Sequence, residues 1–269
     1  MKLKAIIISI RGTKLSNKEK KLLNKEKPWG IILFKRNLKS ITQIKHLTES
    51  IKKYTKNKRF PILIDEEGST VSRLTNIINH KVNASFFGYL YKKDHIFCKN
   101  IFKNYINSLA KILNDLGINI NTIPVLDTLR KDTNKVIGKR SFSSDKKIIK
   151  KLGVLTLDFL KSNKIAGVIK HLPGHGASKS DSHKEMPKIN LELNKLNKID
   201  FFPFKYSKAK FGMTAHILYP KVDKKNVATF SKFIIEKIIR KKIGFKGILI
   251  SDDISMKALK YDLVTNAKK

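Results

Sequence analysis

Short apolar runs recur along the chain, and most of them are continuous rather than alternating with polar residues. Continuous apolar runs of this length are typical of strands that are buried on both faces of a parallel sheet. The pattern therefore predicts seven strands, at residues 4–10, 29–34, 60–64, 118–126, 167–169, 213–218 and 248–250.

The segments between these runs carry apolar residues at helical spacing. Ser16 and Glu19 have the sequence pattern of a capping box, which predicts a helix that continues through Leu22 and Leu23. Further helices are predicted at residues 38–53, 102–116, 147–161 and 230–242. Because strands and helices alternate without a Pro/Gly-rich linker, we expect residues 1–269 to form a single α/β domain.

The number of strands indicates a (β/α)8 barrel of the TIM type, in which function lies at the carboxyl ends of the strands. Ionisable residues directly follow five of the apolar runs, so we expect their side chains to meet at one end of the sheet. These residues are Asp65, Glu66, Glu67, Asp127, Lys170, His171, His216, Asp252 and Asp253.

The formal net charge of +37 is extreme for a chain of 269 residues. A basic nucleic-acid-binding protein is one class that such a charge suggests. However, the lysines are scattered through nearly every segment, and the aromatic residues do not interleave with a basic stripe. We therefore expect no specific nucleic-acid partner, while the positive field should help to attract a negatively charged substrate.

Cys98 is the single cysteine, which excludes an intramolecular disulfide and a cysteine-based zinc site. The apolar run at residues 5–10 is interrupted by Arg11 and is too short for a signal peptide or a membrane span. We expect a cytoplasmic protein with no membrane partner. The sequence leaves the oligomeric state open, and a monomer is the working expectation.

The stretch KHLPGHGASKSDSH, residues 170–183, contains three of the seven histidines. His171 and His175 are four residues apart, which is a metal-ligand spacing when both lie on one helix face. Pro173 and Gly174 lie between them and prevent a helix there. A metal-dependent hydrolase therefore remains an alternative rather than the leading hypothesis.

Asp181 and His183 offer a second interpretation of the same stretch. A carboxylate beside an imidazole fixes its tautomer and keeps it basic enough to move protons. Taken alone, the tripeptide Asp-Ser-His is more simply an Asx-type turn with a surface histidine. Together with the carboxylate of Asp252 at another strand end, it favours a proton-transfer site.

The stretch resembles the K-H-[FL]-P-G-H-G-x4-D-S-H signature of the glycoside hydrolase family 3 β-N-acetylglucosaminidases. Four other segments resemble motifs of that family in the same order along the chain. DEEG at residues 65–68, with Val71 and Arg73, is similar to D-x-E-G-G-R-V-x-R, and IGKRSF at 137–142 to I-G-x-R-S-F. MTAH at 213–216 and SDDISM at 251–256 are similar to M-T-A-H and S-D-D-L-x-M.

The resemblance implies a retaining β-N-acetylglucosaminidase that removes N-acetylglucosamine from peptidoglycan fragments and needs no cofactor. Asp252 would attack the anomeric carbon and form a glycosyl-enzyme intermediate, and Asp253 is the less favoured candidate for this role. His183, paired with Asp181, would protonate the leaving oxygen and later activate water. Retaining glycosidases normally use two carboxylates, so a histidine in the second role is a departure from the general scheme.

The resemblance also implies which residues hold the small, muropeptide-like carbohydrate substrate. Asp65, Arg73, Arg140, Lys170 and His171 would hydrogen-bond the sugar, and their charged donors and acceptors suit its hydroxyl and N-acetyl groups. Surface ion pairs are the alternative for the two arginines.

The remaining polar groups of these motifs have structural roles under the same interpretation. His175 and His216 would shape a loop and a strand end, and Asp127 would be structural.

The chain departs from the family pattern at two places. Ser69 and Thr70 replace the usual Gly and Arg of the first motif. The chain also ends soon after the last motif, with seven predicted strands where the family continues into a further helix and an eighth strand. We therefore expect a barrel without its last strand and helix, and an inactive truncated barrel is a further alternative.

Overall fold

A computed structural model describes residues 3–180 and 185–269 of the chain. Its strands are β1 Lys4–Ile8, β2 Pro28–Leu33, β3 Ile62–Ile64, β4 Ile120–Asn121, β5 Ala166–Leu172, β6 Phe211–Thr214, β7 Leu218–Tyr219, β8 Asp223–Val227 and β9 Ile248–Ser251. Seven of them form a parallel sheet in the order β1-β2-β3-β4-β5-β6-β9, and β7 and β8 form a separate antiparallel pair. The strands of the parallel sheet follow one another in chain order, with β7 and β8 inserted between β6 and β9, as expected for strands that are joined by crossover segments.

Helices fill most of the connections between these strands. They are α1 Asn17–Glu26, α2 Ile41–Thr55, α3 Ala84–Lys93, α4 His95–Asp115, α5 Lys146–Ser162, α6 Leu193–Lys198 and α7 Leu263–Lys268. A π-helix spans Ile234–Lys242, and short 3-10 helices lie at Lys35–Asn37, Gly138–Arg140 and Phe202–Phe204. Within residues 3–180 and 185–269, no helix combines the length and apolar character needed to cross a membrane.

Local capping explains where the predicted helices begin. The Ser16 hydroxyl accepts a hydrogen bond from the N–H of Glu19 at 3.3 Å, and the Glu19 carboxylate accepts one from the N–H of Ser16 at 2.7 Å. The predicted capping box at the start of α1 is therefore confirmed. Asp145 caps α5 in a similar way, because its carboxylate accepts a hydrogen bond from the N–H of Lys147 at 2.7 Å.

The parallel sheet is curled into the wall of a barrel. Trp29 on β2 and Phe211 on β6 meet edge to face, with ring centroids 5.4 Å apart. In a flat sheet, two strands four positions apart would be separated by roughly 19 Å, since neighbouring strands lie about 4.8 Å apart. Every strand of the sheet contributes to one interior cluster, from Ile7 on β1 through Leu63 on β3 to Ile250 on β9.

The α/β class and the seven parallel strands predicted from the sequence are confirmed. The prediction was incomplete in the connections, since it did not include α3, α6 or the β7–β8 pair. It was wrong about the backbone of residues 230–242, where the predicted α-helix is a π-helix over Ile234–Lys242. The amphipathic pattern of that segment is real, because Ile234, Ile238 and Ile239 are buried.

The barrel wall is open in the part of the chain that the structure describes. There, β1 pairs with β2 and β9 pairs with β6, and no strand lies between β1 and β9. Ile6 on β1 and Ile248 on β9 are 44% and 54% exposed, as expected for strands at the edges of an open sheet. The loss of an eighth strand and helix stays a prediction.

Candidate active site

Charged side chains from the carboxyl ends of β3, β5 and β9 surround one cavity of about 310 Å3. This volume lies at the lower end of the range of about 300–1,000 Å3 that is usual for small-molecule sites. The lining includes every predicted site residue that the structure describes. These residues are Asp65, Arg73, Arg140, Lys170, His171 and Asp252.

Asp65 directly follows β3 and is held by three donors. Arg73 Nη2 donates to Asp65 Oδ2 at 3.0 Å, the Thr122 hydroxyl donates to Oδ1, and Lys170 Nζ lies 3.4 Å from the same oxygen. Burial alone would raise the pKa of Asp65, but Lys170, Thr122 and Arg73 together hold that pKa well below its usual range. Asp65 is therefore an ionised acceptor at the wall of the cavity.

Glu67 joins two of the predicted sugar-binding cations. Arg140 Nε and Nη2 donate to its two carboxylate oxygens at 2.7 and 2.9 Å, and Lys170 Nζ lies 2.7 Å from Oε1. Burial favours the neutral acid, but Lys170 and Arg140 outweigh it and lower the pKa of Glu67 to about 2. Arg140 is thus a mostly buried partner of Glu67, and the alternative of a surface ion pair does not describe it.

His171 is oriented by a carboxylate that lies outside the cavity lining. Asp127 Oδ2 is 2.6 Å from His171 Nδ1, while Oδ1 accepts hydrogen bonds from the N–H of His171 at 3.3 Å and of His175 at 2.6 Å. Burial would raise the pKa of Asp127, but the two histidines lower it, so the carboxylate stays ionised. Asp127, which we expected to be structural, therefore also contacts the predicted site residue His171 directly.

His175 also lines the cavity, with its ring edge to face against that of His171 at a centroid distance of 5.7 Å. Burial lowers the pKa of His175 to about 4, despite the opposing effect of Asp127, so the ring is neutral near pH 7. Among the described residues, no three His, Cys, Asp or Glu side chains are grouped closely enough to hold a metal ion.

Asp252 and Asp253 have different surroundings at the end of β9. Asp252 lines the cavity, and its charge is one of those that raise the pKa of Arg140. The Asp253 carboxylate instead folds back on Ser255, accepting hydrogen bonds from its N–H at 2.8 Å and its hydroxyl at 2.7 Å. Of the two predicted candidates for the reactive carboxylate, it is therefore Asp252 that lines the cavity.

His216 connects the end of β6 to the loop that carries these aspartates. Its Nε2 donates to the backbone carbonyl of Asp253 at 3.1 Å, and its Nδ1 lies 2.8 Å from the hydroxyl of Thr229. Burial lowers the pKa of His216, although Asp252 opposes this, and a neutral ring suits one donated and one accepted bond. This contact agrees with the prediction that His216 shapes a strand end.

The sequence interpretation left Glu67, Asp127 and Thr122 out of the predicted site. Both acids stand directly after apolar runs, so the strand-end pattern contained the signal for them. Thr122 lies inside an apolar run and had no such signal, although its hydroxyl accepts a hydrogen bond from Lys170 Nζ at 2.8 Å. Glu66 is also at a strand end, but it is fully buried and accepts hydrogen bonds from the N–H groups of Arg73 and Leu74.

Asp181 and His183, the predicted proton-transfer pair, lie outside the residues that the structure describes. Residues 176–179, which precede this pair, are hydrogen-bonded to the loop that follows β4. Thr133 donates from its hydroxyl to the carbonyl of Gly176 at 2.6 Å, and Asn134 donates from its backbone N–H and side chain to the carbonyls of Ser178 and Lys179, both at 2.9 Å.

Comparison with known proteins shows that the chain belongs to a known family. The family model described as "Glycosyl hydrolase family 3 N terminal domain" matches residues 2–267. A curated protein named beta-hexosaminidase, from Neisseria meningitidis serogroup C (strain 053442), is 33% identical over 256 residues, covering 93% of this chain and 70% of that protein.

Solved structures give the same result. The structure of NagZ from Neisseria gonorrhoeae in complex with N-trifluoroacetyl-D-glucosamine superposes with a TM-score of 0.90 at 31% identity, covering 99% of this chain and 78% of that one. A glycoside hydrolase family 3 beta-N-acetylglucosaminidase from Paenibacillus sp. str. FPU-7 gives a TM-score of 0.86 at 29% identity. There the match covers 94% of this chain but 48% of the other, so this chain spans about half of that protein.

Proposed function

Because the chain belongs to glycosyl hydrolase family 3, a family of glycosidases, we propose that it is a retaining exo-acting β-N-acetylglucosaminidase. One observation carries the proposal: Asp252 lines the same cavity as all five residues expected to bind the sugar. The names of the similar proteins support the choice of N-acetylglucosamine as the sugar. The proposed enzyme is residues 1–269 acting as one catalytic barrel domain.

Asp252 is the nucleophile in the proposed reaction. Its carboxylate attacks the anomeric carbon, the bond from that carbon to the leaving oxygen breaks, and a covalent glycosyl-enzyme forms. The Arg140 guanidinium, held by Glu67, places a fixed positive charge on the same cavity.

His183 is the acid and base, with Asp181 as its partner. In the first step the imidazolium gives its proton to the leaving oxygen, and in the second the neutral ring takes a proton from the water that attacks the anomeric carbon. An ordinary imidazole pKa of about 6.5 suits both transfers near neutral pH. Two displacements at the same carbon return the sugar with its original β configuration.

The sugar is held by charged groups whose partners are already in place. Asp65 accepts hydrogen bonds from sugar hydroxyls, and Arg73, Arg140 and Lys170 donate to hydroxyl or N-acetyl oxygens. These cations contact Asp65 or Glu67, so little reorganisation is needed when a sugar binds.

Peptidoglycan fragments in the bacterial cytoplasm are the proposed substrates. Such fragments carry carboxylates, and the net charge of +37 should raise their local concentration near the protein. The cavity of about 310 Å3 has room for a sugar ring, as an exo-acting enzyme requires.

The experiment is release of nitrophenol from p-nitrophenyl N-acetyl-β-glucosaminide. Asp252→Ala should abolish release, His183→Ala should slow it greatly, and Asp253→Asn should keep measurable turnover. NMR of the first product should show the β anomer before mutarotation. Wild-type-like turnover in both Asp252→Ala and His183→Ala would refute the proposed roles, and initial release of the α anomer would refute retention.

A further inference from the structure

We propose that Asp127 is a positioning residue, which fixes the ring of His171 so that Nε2 is the nitrogen offered to the sugar. This inference rests on the proposed function and adds a residue to the machinery of its sugar site. Asp127 is not among the residues that line the cavity, so its effect on a ligand would pass through His171 and the loop at residues 171–175.

The Asp127 carboxylate has a small set of short, directed contacts. It is 0% exposed and follows the buried segment after β4, so its position is fixed by the core. One oxygen faces His171 Nδ1 at 2.6 Å, and the other receives the N–H groups of His171 and His175. An ionised carboxylate can only accept hydrogen bonds, so all three partners must be donors.

This requirement determines the tautomer of His171. Nδ1 has to carry a hydrogen in order to donate to Asp127, and in the neutral ring Nε2 is then an acceptor. The neighbouring Lys170 Nζ is a donor. A sugar hydroxyl both donates and accepts, so Lys170 and a correctly oriented His171 form a matched donor and acceptor pair on one wall of the cavity.

The second carboxylate oxygen holds the backbone that carries the ring. The loop is clamped from other sides as well, since Tyr219 donates from its hydroxyl to the carbonyl of Gly174 at 2.7 Å. At Gly176, a Cβ atom would lie 1.9 Å from the carbonyl oxygen of Thr128, so the backbones are in direct contact there. With the loop fixed at these points, the tautomer of His171 is the property that Asp127 still controls.

Replacement of Asp127 by Asn changes this control with little change in shape. An amide has one acceptor oxygen where the carboxylate has two, so its NH2 group must face either the ring Nδ1 of His171 or the N–H of His175. The first arrangement moves the ring hydrogen to Nε2, and the second breaks the contact that holds the loop.

The test is a double-mutant cycle of Asp127→Asn and His171→Ala, read out by the inhibition constant of N-acetylglucosamine and by KM and kcat. Each single variant should weaken inhibition by about 10- to 100-fold, the range for losing a hydrogen bond to a charged group. The double variant should be no weaker than His171→Ala alone, because Asp127 acts through His171. Asp127→Asn should also change the pH profile of KM.

Asp223→Asn is the matched control. The Asp223 carboxylate also accepts from two backbone N–H groups, together with two side chains, but it lies on β8 and serves Ser231, Lys225 and Asn226. This variant should lose stability and leave the inhibition constant of the folded protein unchanged. The inference would be overturned if the effects of Asp127→Asn and His171→Ala on the inhibition constant multiplied in the double variant. It would also be overturned if Asp127→Asn lost stability but kept the wild-type inhibition constant.

A direct measurement covers the case in which Asp127→Asn does not fold. In the wild-type protein, 15N NMR of the imidazole nitrogens, with His171 assigned from its loss in His171→Ala, should show the hydrogen on Nδ1. A hydrogen on Nε2 in the neutral ring would overturn the inference. If the wild type releases no sugar, the proposed function fails, while the NMR measurement still decides the role of Asp127 toward the ring.

Discussion

Replacing Glu67 by Gln removes the charge that joins Arg140 and Lys170 while keeping the size of the side chain. In the folded protein the pKa of Glu67 is lowered from its ordinary value of 4.5 to about 2. The difference corresponds to about 3 kcal/mol of stability at pH 7, which is within the range measured when one partner of a buried ion pair is removed. Glu67→Gln should therefore lower the free energy of unfolding by about 3 kcal/mol.

The pH dependence of this loss has a definite direction. Because the pKa of Glu67 is lower in the folded protein than in the unfolded chain, its contribution is fully present above about pH 4.5 and is lost as the pH falls toward 2. The difference between the wild type and Glu67→Gln should accordingly shrink over that interval.

Urea unfolding followed by circular dichroism, at pH values from 7 down to 3, measures both quantities. Glu192→Gln is the matched control, since Glu192 forms an exposed pair with Lys221 at 2.6 Å, and such pairs contribute about 0–1 kcal/mol. The reasoning fails if Glu67→Gln costs no more than Glu192→Gln at pH 7, or if its cost is the same at pH 3.

Two further predictions concern packing and the open sheet. Gly88→Ala should lower the melting temperature by about 5 °C or more, because its Cβ would lie 1.6 Å from the carbonyl oxygen of Phe142. Gly12→Ala is the control, since the added atom has open space around it, and its free energy of unfolding in thermal scans should stay within about 0.5 kcal/mol of the wild type. Ile248→Lys should reduce association of the purified chain in light scattering, because a lysine protects an exposed strand edge; equal association in both proteins would contradict this view of the β9 edge.

The strand-end pattern alone predicted that ionisable residues from distant parts of the chain would lie close together. Asp65, Lys170 and Asp252 lie far apart along the chain, but parallel strands place their carboxyl ends on one side of a sheet. The motifs assigned residues to that location. The connections were harder to predict, because α3 is a short segment whose apolar residues lack a long helical period, and β7 and β8 form a short antiparallel pair outside the parallel sheet.

The pairing of charges inside the cavity could not be predicted in the same way. The motifs placed Asp65, Arg140 and Lys170 in one predicted site, but they did not indicate which carboxylate would face which cation. In the structure Lys170 contacts both carboxylates, while Arg140 contacts Glu67 alone among them. Such choices depend on side-chain lengths and strand spacing, which sequence order does not encode.

This pairing shows how a chain with a net charge of +37 can contain a nearly neutral cavity, as the proposed binding of a neutral sugar requires. The cavity lining has three carboxylates and four cations, so its formal charge is +1 (4 − 3), in contrast to the excess over the whole chain. An unpaired charge in such a place would cost several kcal/mol of desolvation. The attraction between paired charges offsets part of that cost, and such groups still provide hydrogen bonds that are roughly twice as strong as neutral ones. In the proposed function, the basic surface would therefore act on substrate approach, while recognition of the sugar would depend on a few paired charged groups at the strand ends.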